Sequence, residues 1–332
     1  MTSSTPSDLP TFADIKDAAD CLHGLAVETP LLESPLFNDE IGFRLLIKAE
    51  VLQRTGSFKF RGAYNRIRRM SVEDRQRGVV AFSSGNHAQG VAAAAKLLGA
   101  PAVIVMPKDA PAMKIANTRA YGGEVVFYDR KTDDREAIGE QIAKKRGLTL
   151  VRPFDDRYVI AGQGTAGLEI ARAARARGIP IDAVLVPCGG GGLTAGLALA
   201  LEVESPATKV WAVEPAGWDD WKKSLEAGRI EHTSGHGSML CDALLTPSPG
   251  KITFAVNQRL IGGALDVDDD AVLKAIAVAW KHFKVVVEPG GAVGLAAALS
   301  GAFPARGRTV CVVCSGGNVD VAVYRTALER FA

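Results

Sequence analysis

Four short segments of this 332-residue chain gather residue types that can do chemistry. Lys59 lies between Phe58 and Phe60 at the expected start of a helix. Desolvation by its aromatic neighbours and the positive helix end both favour a neutral amine, which can form a Schiff base with a carbonyl compound. Ser83, Ser84, Gly85, Asn86 and His87 place hydroxyl, amide and imidazole groups in one loop. Gly189, Gly190, Gly191 and Gly192 run straight into a helix expected to begin near Leu193, so successive backbone N–H groups can surround a phosphate. The fourth segment is Cys314-Ser315-Gly316-Gly317-Asn318. A lysine poised to be neutral, a phosphate cradle and a polar loop together fit an aldehyde cofactor carrying a phosphate, namely pyridoxal phosphate. Each segment also has a plainer reading. Lys59 alone reads as a surface lysine, and the glycines as tight helix–strand packing. Gly190–Ala195 followed by Glu214 also reads as a dinucleotide-binding turn with its ribose acid.

These segments need a scaffold that brings them together. Strand-like runs are expected at 44–50, 79–83, 102–107, 124–129, 183–188, 209–215 and 309–315, with helix-like segments at 87–98, 112–121, 133–146, 167–177, 268–283 and 291–299. The alternation predicts an α/β protein with mostly parallel sheets, in which ligands bind beyond the carboxyl ends of strands. All four chemical segments follow such runs. The length fits about two domains, and the Gly/Ser/Thr/Pro-rich stretch 228–250 is expected to border a site.

Composition narrows the function classes. With 47% hydrophobic and 23% charged residues the chain is an ordinary globular protein, and Lys+Arg 39 against Asp+Glu 37 leaves +2, with no basic run that predicts nucleic acid as a partner. Five cysteines is an odd number, and the N-terminus lacks a basic segment followed by an apolar one, so a reducing, cytoplasmic compartment is expected. Cys311 and Cys314 form CxxC within an apolar strand, where alternation sends their sulfurs to opposite faces. The uncharged stretch 183–201 is long enough for a membrane span, but Pro187 and the glycines favour a strand, a turn and a core helix. His232 and His236 have HxxxH spacing, yet Gly235 and Gly237 argue against a zinc-binding helix.

Six motifs in order, SFKFRGA (57–63), SSGNHAQG (83–90), AGQGT (161–165), CGGGGL (188–193), VEPGGAVGLAA (287–297) and CSGGNVD (314–320), resemble the serine/threonine dehydratase and serine racemase family of tryptophan-synthase-like pyridoxal phosphate enzymes. The resemblance implies two domains with open twisted sheets: 1–75 with 155–332 as the large cofactor-binding domain, and 76–154 as the small domain with the substrate loop. It implies that Lys59 holds the cofactor, Phe58 packs beside it, and Asn86 bonds the ring hydroxyl. Gly189, Gly190, Gly191, Gly192 and Leu193 would cup the phosphate, and Ser315 would face the pyridine nitrogen. Ser83, Ser84, Gly85, Asn86 and His87 would bind the substrate α-carboxylate. Lys59 would be the catalytic base, and Ser84 matches the hydroxyl that acts on the opposite face in racemases. Glu214, Asp220 and the carbonyl of Trp218 match a Mg²⁺ or Ca²⁺ site, the plainer reading being a helix-capping acidic turn. A homodimer is implied as well.

The implied reaction converts L-threonine or L-serine to a 2-keto acid and ammonia by α,β-elimination. The alternatives are a 3-hydroxyaspartate dehydratase and a serine racemase. The chain ends soon after CSGGNVD, so the short, catabolic type is expected. For a dicarboxylic substrate, Arg61, Arg152, His232 and His236 are the candidate cations for the second carboxylate.

Overall fold

In this computed structural model, residues 9–83 and 85–332 are described. The strands, in chain order, are β1 (Leu31–Glu33), β2 (Arg44–Lys48), β3 (Val79–Phe82), β4 (Ala102–Pro107), β5 (Gly123–Tyr128), β6 (Thr149–Leu150), β7 (Ala183–Pro187), β8 (Lys209–Pro215), β9 (Gly263–Val267) and β10 (Thr309–Val313). They form two sheets, in the orders β1-β2-β10-β7-β8-β9 and β5-β4-β3-β6. All pairings are parallel except β1 with β2.

The central strands are apolar because helices cover both faces of each sheet. In the larger sheet Leu45, Ile47, Leu185, Val310 and Val312 face one cluster of buried side chains, while Leu46, Val184, Val186, Cys311 and Val313 face another. The period of two therefore separates the CxxC sulfurs as expected, with Cys314 in the first cluster and Cys311 in the second; burial pushes both thiols up to about 12. No helix among the described residues is long and apolar enough to cross a membrane. Residues 183–201 divide into β7, a glycine turn and most of the helix Gly192–Glu204.

One helix differs from expectation in a way that matters for the site. It runs Arg157–Ala176, beginning before AGQGT rather than after it. The glycines of AGQGT let backbones meet. A Cβ on Gly162 would lie 2.6 Å from the carbonyl oxygen of Arg61, and one on Gly164 2.8 Å from that of Gly196. Three helices, Lys59–Arg68, Arg157–Ala176 and Gly192–Glu204, are thereby packed closely around the first turns that carry Lys59 and the glycine run.

Candidate active site

The carboxyl ends of β3, β7 and β10 open onto one cavity, whose wall includes Phe58, Lys59, Asn86, His87, Gly189–Leu193 and Ser315. Lys59 is the first residue of its helix, after a turn in which Thr55 and Gly56 take φ of 64° and 70°. Asn318 holds this turn by donating to the Thr55 carbonyl at 2.8 Å, and Phe58 N–H donates to Ser315 O at 3.1 Å. Lys59 Nζ donates to Pro153 O at 3.0 Å and lies 5.1 Å from the Phe58 ring centre. Burial lowers its pKa to about 8, so the amine is far more nucleophilic at neutral pH than an exposed lysine.

The glycine run forms the opposite wall. Gly191 has φ 88°, where a side chain is disfavoured, and a Cβ on Gly190 would meet the Phe154 ring at 2.4 Å. The backbone N–H groups of Gly189 to Leu193 take no acceptor from the described residues, and they sit at the positive end of the helix Gly192–Glu204. That donor set fits a phosphate.

On the small-sheet side, the helix Asn86–Leu97 starts at the cavity. Ser83 Oγ accepts from Gly85 N–H at 3.1 Å, while Ser84 lies outside the described residues. Asn86 donates through Nδ2 to Glu288 and accepts from Asn318 Nδ2 at 2.8 Å. His87 Nε2 lies 2.9 Å from Val151 O, a pure acceptor, so Nε2 carries the proton and the buried Nδ1 is left without a partner. Burial, then the charge of Lys59, lowers the His87 pKa to about 3. Such an imidazole is a weak proton acceptor, which favours a structural role in the loop over general base catalysis.

The cations in this cavity are not those expected. Arg61 is buried in ion pairs with Glu50 at 2.8 Å and Glu169 at 2.5 Å, anchoring the Lys59 helix from outside the cavity. Arg152 is exposed and pairs with Glu140, and His232 and His236 are exposed on a loop away from the cavity wall. The cavity instead holds Lys114 and Arg135, beside the loop residues Asp242–Thr246, so 228–250 does border the site. Lys114 Nζ is 3.0 Å from Asp242 and 3.9 Å from Glu288, whose carboxyl is pushed up to about 7, chiefly by burial. Arg135 sits 5.8 Å from the Phe82 ring centre and is in no ion pair among the described residues. Lys114 and Arg135 belong to ordinary-looking helices, which is why sequence patterns pass over them. Glu288 and Asn318 could have been found, since both lie inside the quoted motifs.

Glu214 is the penultimate residue of β8, and its two carboxylate oxygens accept from Trp221 N–H at 2.9 Å and Lys222 N–H at 3.1 Å, so it caps the helix Asp220–Ala227. Asp220 is buried, with Oδ2 lacking any partner. Burial first, then the Asp220 charge, holds Glu214 well above the usual carboxylate range; burial and the nearby Asp219 push Asp220 up to about 8. Two buried carboxylates with an orphaned oxygen fit a hard divalent cation. Among the described residues no group of three or more His, Cys, Asp or Glu is gathered for a metal, so a carbonyl such as that of Trp218 would have to complete the set.

The family described as pyridoxal-phosphate dependent enzyme matches residues 23–316. The chain is 42% identical over 321 residues to the L-threo-3-hydroxyaspartate ammonia-lyase of Saccharomyces cerevisiae, covering 97% of both. It is 39% identical to the serine racemase of Schizosaccharomyces pombe, covering 97% of this chain and 98% of the racemase. Among solved structures, a threonine deaminase from T.th. superposes with a TM-score of 0.88 at 45% identity, covering 94% of this chain and 99% of that one. The neutral-leaning lysine, the glycine cradle and the helix-borne asparagine share one cavity within the matched span, and the chain belongs to the pyridoxal-phosphate dependent enzyme family.

Proposed function

We propose that this enzyme is an ammonia-lyase that eliminates water from a β-hydroxy amino acid and releases a 2-keto acid and ammonia, and that its preferred substrate carries a second carboxylate, as 3-hydroxyaspartate does. One observation carries the substrate reading: Arg135 lines the same cavity as Lys59 and has no carboxylate partner among the described residues. A guanidinium placed there can bind a planar carboxylate through two parallel hydrogen bonds. The 42% identical hydroxyaspartate lyase supports it. L-Threonine or L-serine as the main substrate is the second reading, favoured by the threonine deaminase likeness. Serine racemisation rests on Ser84 and remains a third activity to assay alongside.

Lys59 would hold the cofactor, with Gly189–Leu193 N–H groups on its phosphate, Asn86 and Ser315 at its ring and Phe58 packed beside it. When bound, pyridoxal phosphate withdraws electrons from the substrate nitrogen and acidifies the α-C–H bond. Ser315 would offer a hydroxyl rather than a carboxylate to the ring nitrogen, which favours elimination over transamination. Ser83, Ser84 and the N–H groups of 85–87, at the start of a helix, bind the α-carboxylate. Arg135 takes the second one and fixes the β-carbon. Lys59, freed when the substrate amine takes its place, would accept the α-proton at its neutral Nζ and, as the ammonium, can pass a proton to the β-hydroxyl, which leaves as water. Hydrolysis of the resulting imine gives the keto acid and ammonia.

Three further parts belong to this reading. Glu214, Asp220 and the Trp218 carbonyl would hold Mg²⁺ or Ca²⁺. The division into 1–75 with 155–332 and 76–154 is supported by the strands, since β3–β6 all fall in the second segment and the rest in the first. A homodimer is what the motif resemblance implies, and five free cysteines fit a reducing compartment.

The test is keto-acid and ammonia release from L-threonine, L-serine and the stereoisomers of 3-hydroxyaspartate, for the wild type and Arg135→Leu. We expect the highest kcat/KM on one hydroxyaspartate isomer. Loss of a charge-assisted pair should lower that value about 10- to 100-fold in Arg135→Leu, with threonine turnover within about threefold of wild type. Threonine as the best substrate, with no selective effect of the substitution, would sink the dicarboxylate reading.

A further inference from the structure

The cradle Gly189–Leu193 has a back as well as a front. Each of its first three carbonyls is held by a different buried side chain: Trp221 Nε1 donates to Gly189 O at 2.6 Å, Thr253 Oγ1 to Gly190 O at 2.7 Å, and Asn257 Nδ2 to Gly191 O at 3.2 Å. All three donors are fully buried. A trans peptide is planar, and its carbonyl points opposite to the N–H of the next residue. Tying the carbonyls of 189, 190 and 191 to the rear therefore turns the N–H groups of Gly190, Gly191 and Gly192 toward the cavity.

The donors are themselves fixed. Trp221 is held by its own N–H on Glu214, and its indole lies so close over Gly191 that a Cβ there would come within 2.1 Å of Cζ2. Thr253 and Asn257 are four residues apart on the helix Lys251–Leu260, hence on one face. The start of that helix is capped by Asp155, which accepts from the N–H groups of Lys251, Ile252 and Thr253.

We infer that Trp221, Thr253 and Asn257 are positioning residues that preset the cradle for the cofactor phosphate, so that no peptide plane has to rotate when it binds. The inference rests on the reading of Gly189–Leu193 as the phosphate site. Three backbone dipoles oriented in advance bind an anion more tightly than three that must be ordered on arrival.

The experiment compares pyridoxal phosphate with pyridoxal, which lacks the phosphate. Enzyme stripped of cofactor is titrated with each, following the visible absorbance of the lysine-bound form, for wild type, Trp221→Phe, Thr253→Val and Asn257→Ala. Each variant should bind pyridoxal phosphate about 5- to 30-fold more weakly, the effect of one buried hydrogen bond, while its affinity for pyridoxal stays within about threefold of wild type. Thr253→Ser, which keeps the hydroxyl, should restore wild-type selectivity. Equal losses for both ligands would make these residues merely structural and overturn the inference. Retained preference for the phosphate in all three variants would overturn it too, leaving the cradle reading intact. A wild type that binds both ligands equally would bring down the cradle reading itself. Thr253→Val and Thr253→Ser differ from the parent by one group each, so folding failure of Trp221→Phe or Asn257→Ala leaves the comparison decisive.

Discussion

If Lys59 holds the cofactor as proposed, its pKa sets how fast cofactor-free enzyme captures pyridoxal phosphate, because only the neutral amine attacks the aldehyde. With a value of about 8, roughly a tenth of the amine is neutral at pH 7. An ordinary lysine under the same conditions has about 0.03% neutral amine, so burial raises the reactive fraction about 300-fold. The assay is stopped-flow capture across a pH series, each rate divided by that of N-acetyl-lysine amide to cancel titration of the cofactor itself. The ratio should be largest on the acid side and fall about tenfold per pH unit once Lys59 has lost its proton, above about 8. Stability follows the same linkage. The folded-state pKa lies below the unfolded one, so between about 8 and 10.5 the unfolded chain binds the extra proton, and cofactor-free protein gains stability with rising pH. The gain is at most about 3 kcal/mol, and Lys59→Met should abolish that slope and raise stability at neutral pH. A flat rate ratio across the series, together with identical pH slopes for wild type and Lys59→Met, would refute the argument that burial tunes this lysine.

Other perturbations probe the rest of the site. Gly190→Ala drives a Cβ into the Phe154 ring at 2.4 Å and should lose nearly all cofactor binding, read as missing visible absorbance; normal loading would mean the ring moves freely. Asp220 has a folded pKa of about 8, above its unfolded value, so without a divalent cation stability is lost as pH rises from about 4 through 8. Asp220→Asn should then raise the cation-free Tm at neutral pH, and Mg²⁺ or Ca²⁺ should raise the Tm of the wild type only. A wild-type Tm indifferent to both ions would remove the cation from the reading. Arg61→Met strands the fully buried Glu50 without its partner and should cost about 3–5 kcal/mol in urea unfolding. A loss below about 1 kcal/mol would show that Lys48 or water takes over.

Legibility in the sequence followed the strength of local signals. Strands β4 and β8 match their expected bounds because dense apolar runs end at turn residues, whereas β1, β6 and β9 were invisible: two or three residues, or a run such as Gly263–Val267, carry no period. The glycine run, Lys59 and Asn86 could be placed together because backbone exposure and chain order leave marks that side-chain packing does not. What could not be read was which charges share a cavity. Arg61 looked free beside Lys59, but Glu50 and Glu169, the latter far along the chain, enclose it. Nothing in the local pattern around Arg135, at the start of a polar helix, marks it, and only the fold brings it to the cavity wall.

The two sheets share the labour at the cavity unequally. Most groups that would hold the cofactor, Lys59, Gly189–Leu193 and Ser315, come from segments that extend the six-stranded sheet, while Asn86, also placed at the ring, comes with Ser83, His87, Lys114 and Arg135 from segments around the four-stranded one. On the proposed substrate reading, selectivity can therefore drift in one unit while most of the machinery it feeds is inherited unchanged in the other. Recombination that exchanges residues around β3–β6 between relatives while keeping Asn86 is the natural way to breed new substrate ranges from this scaffold, because each exchanged block brings its own recognition groups and leaves the rest of the cofactor's seat alone.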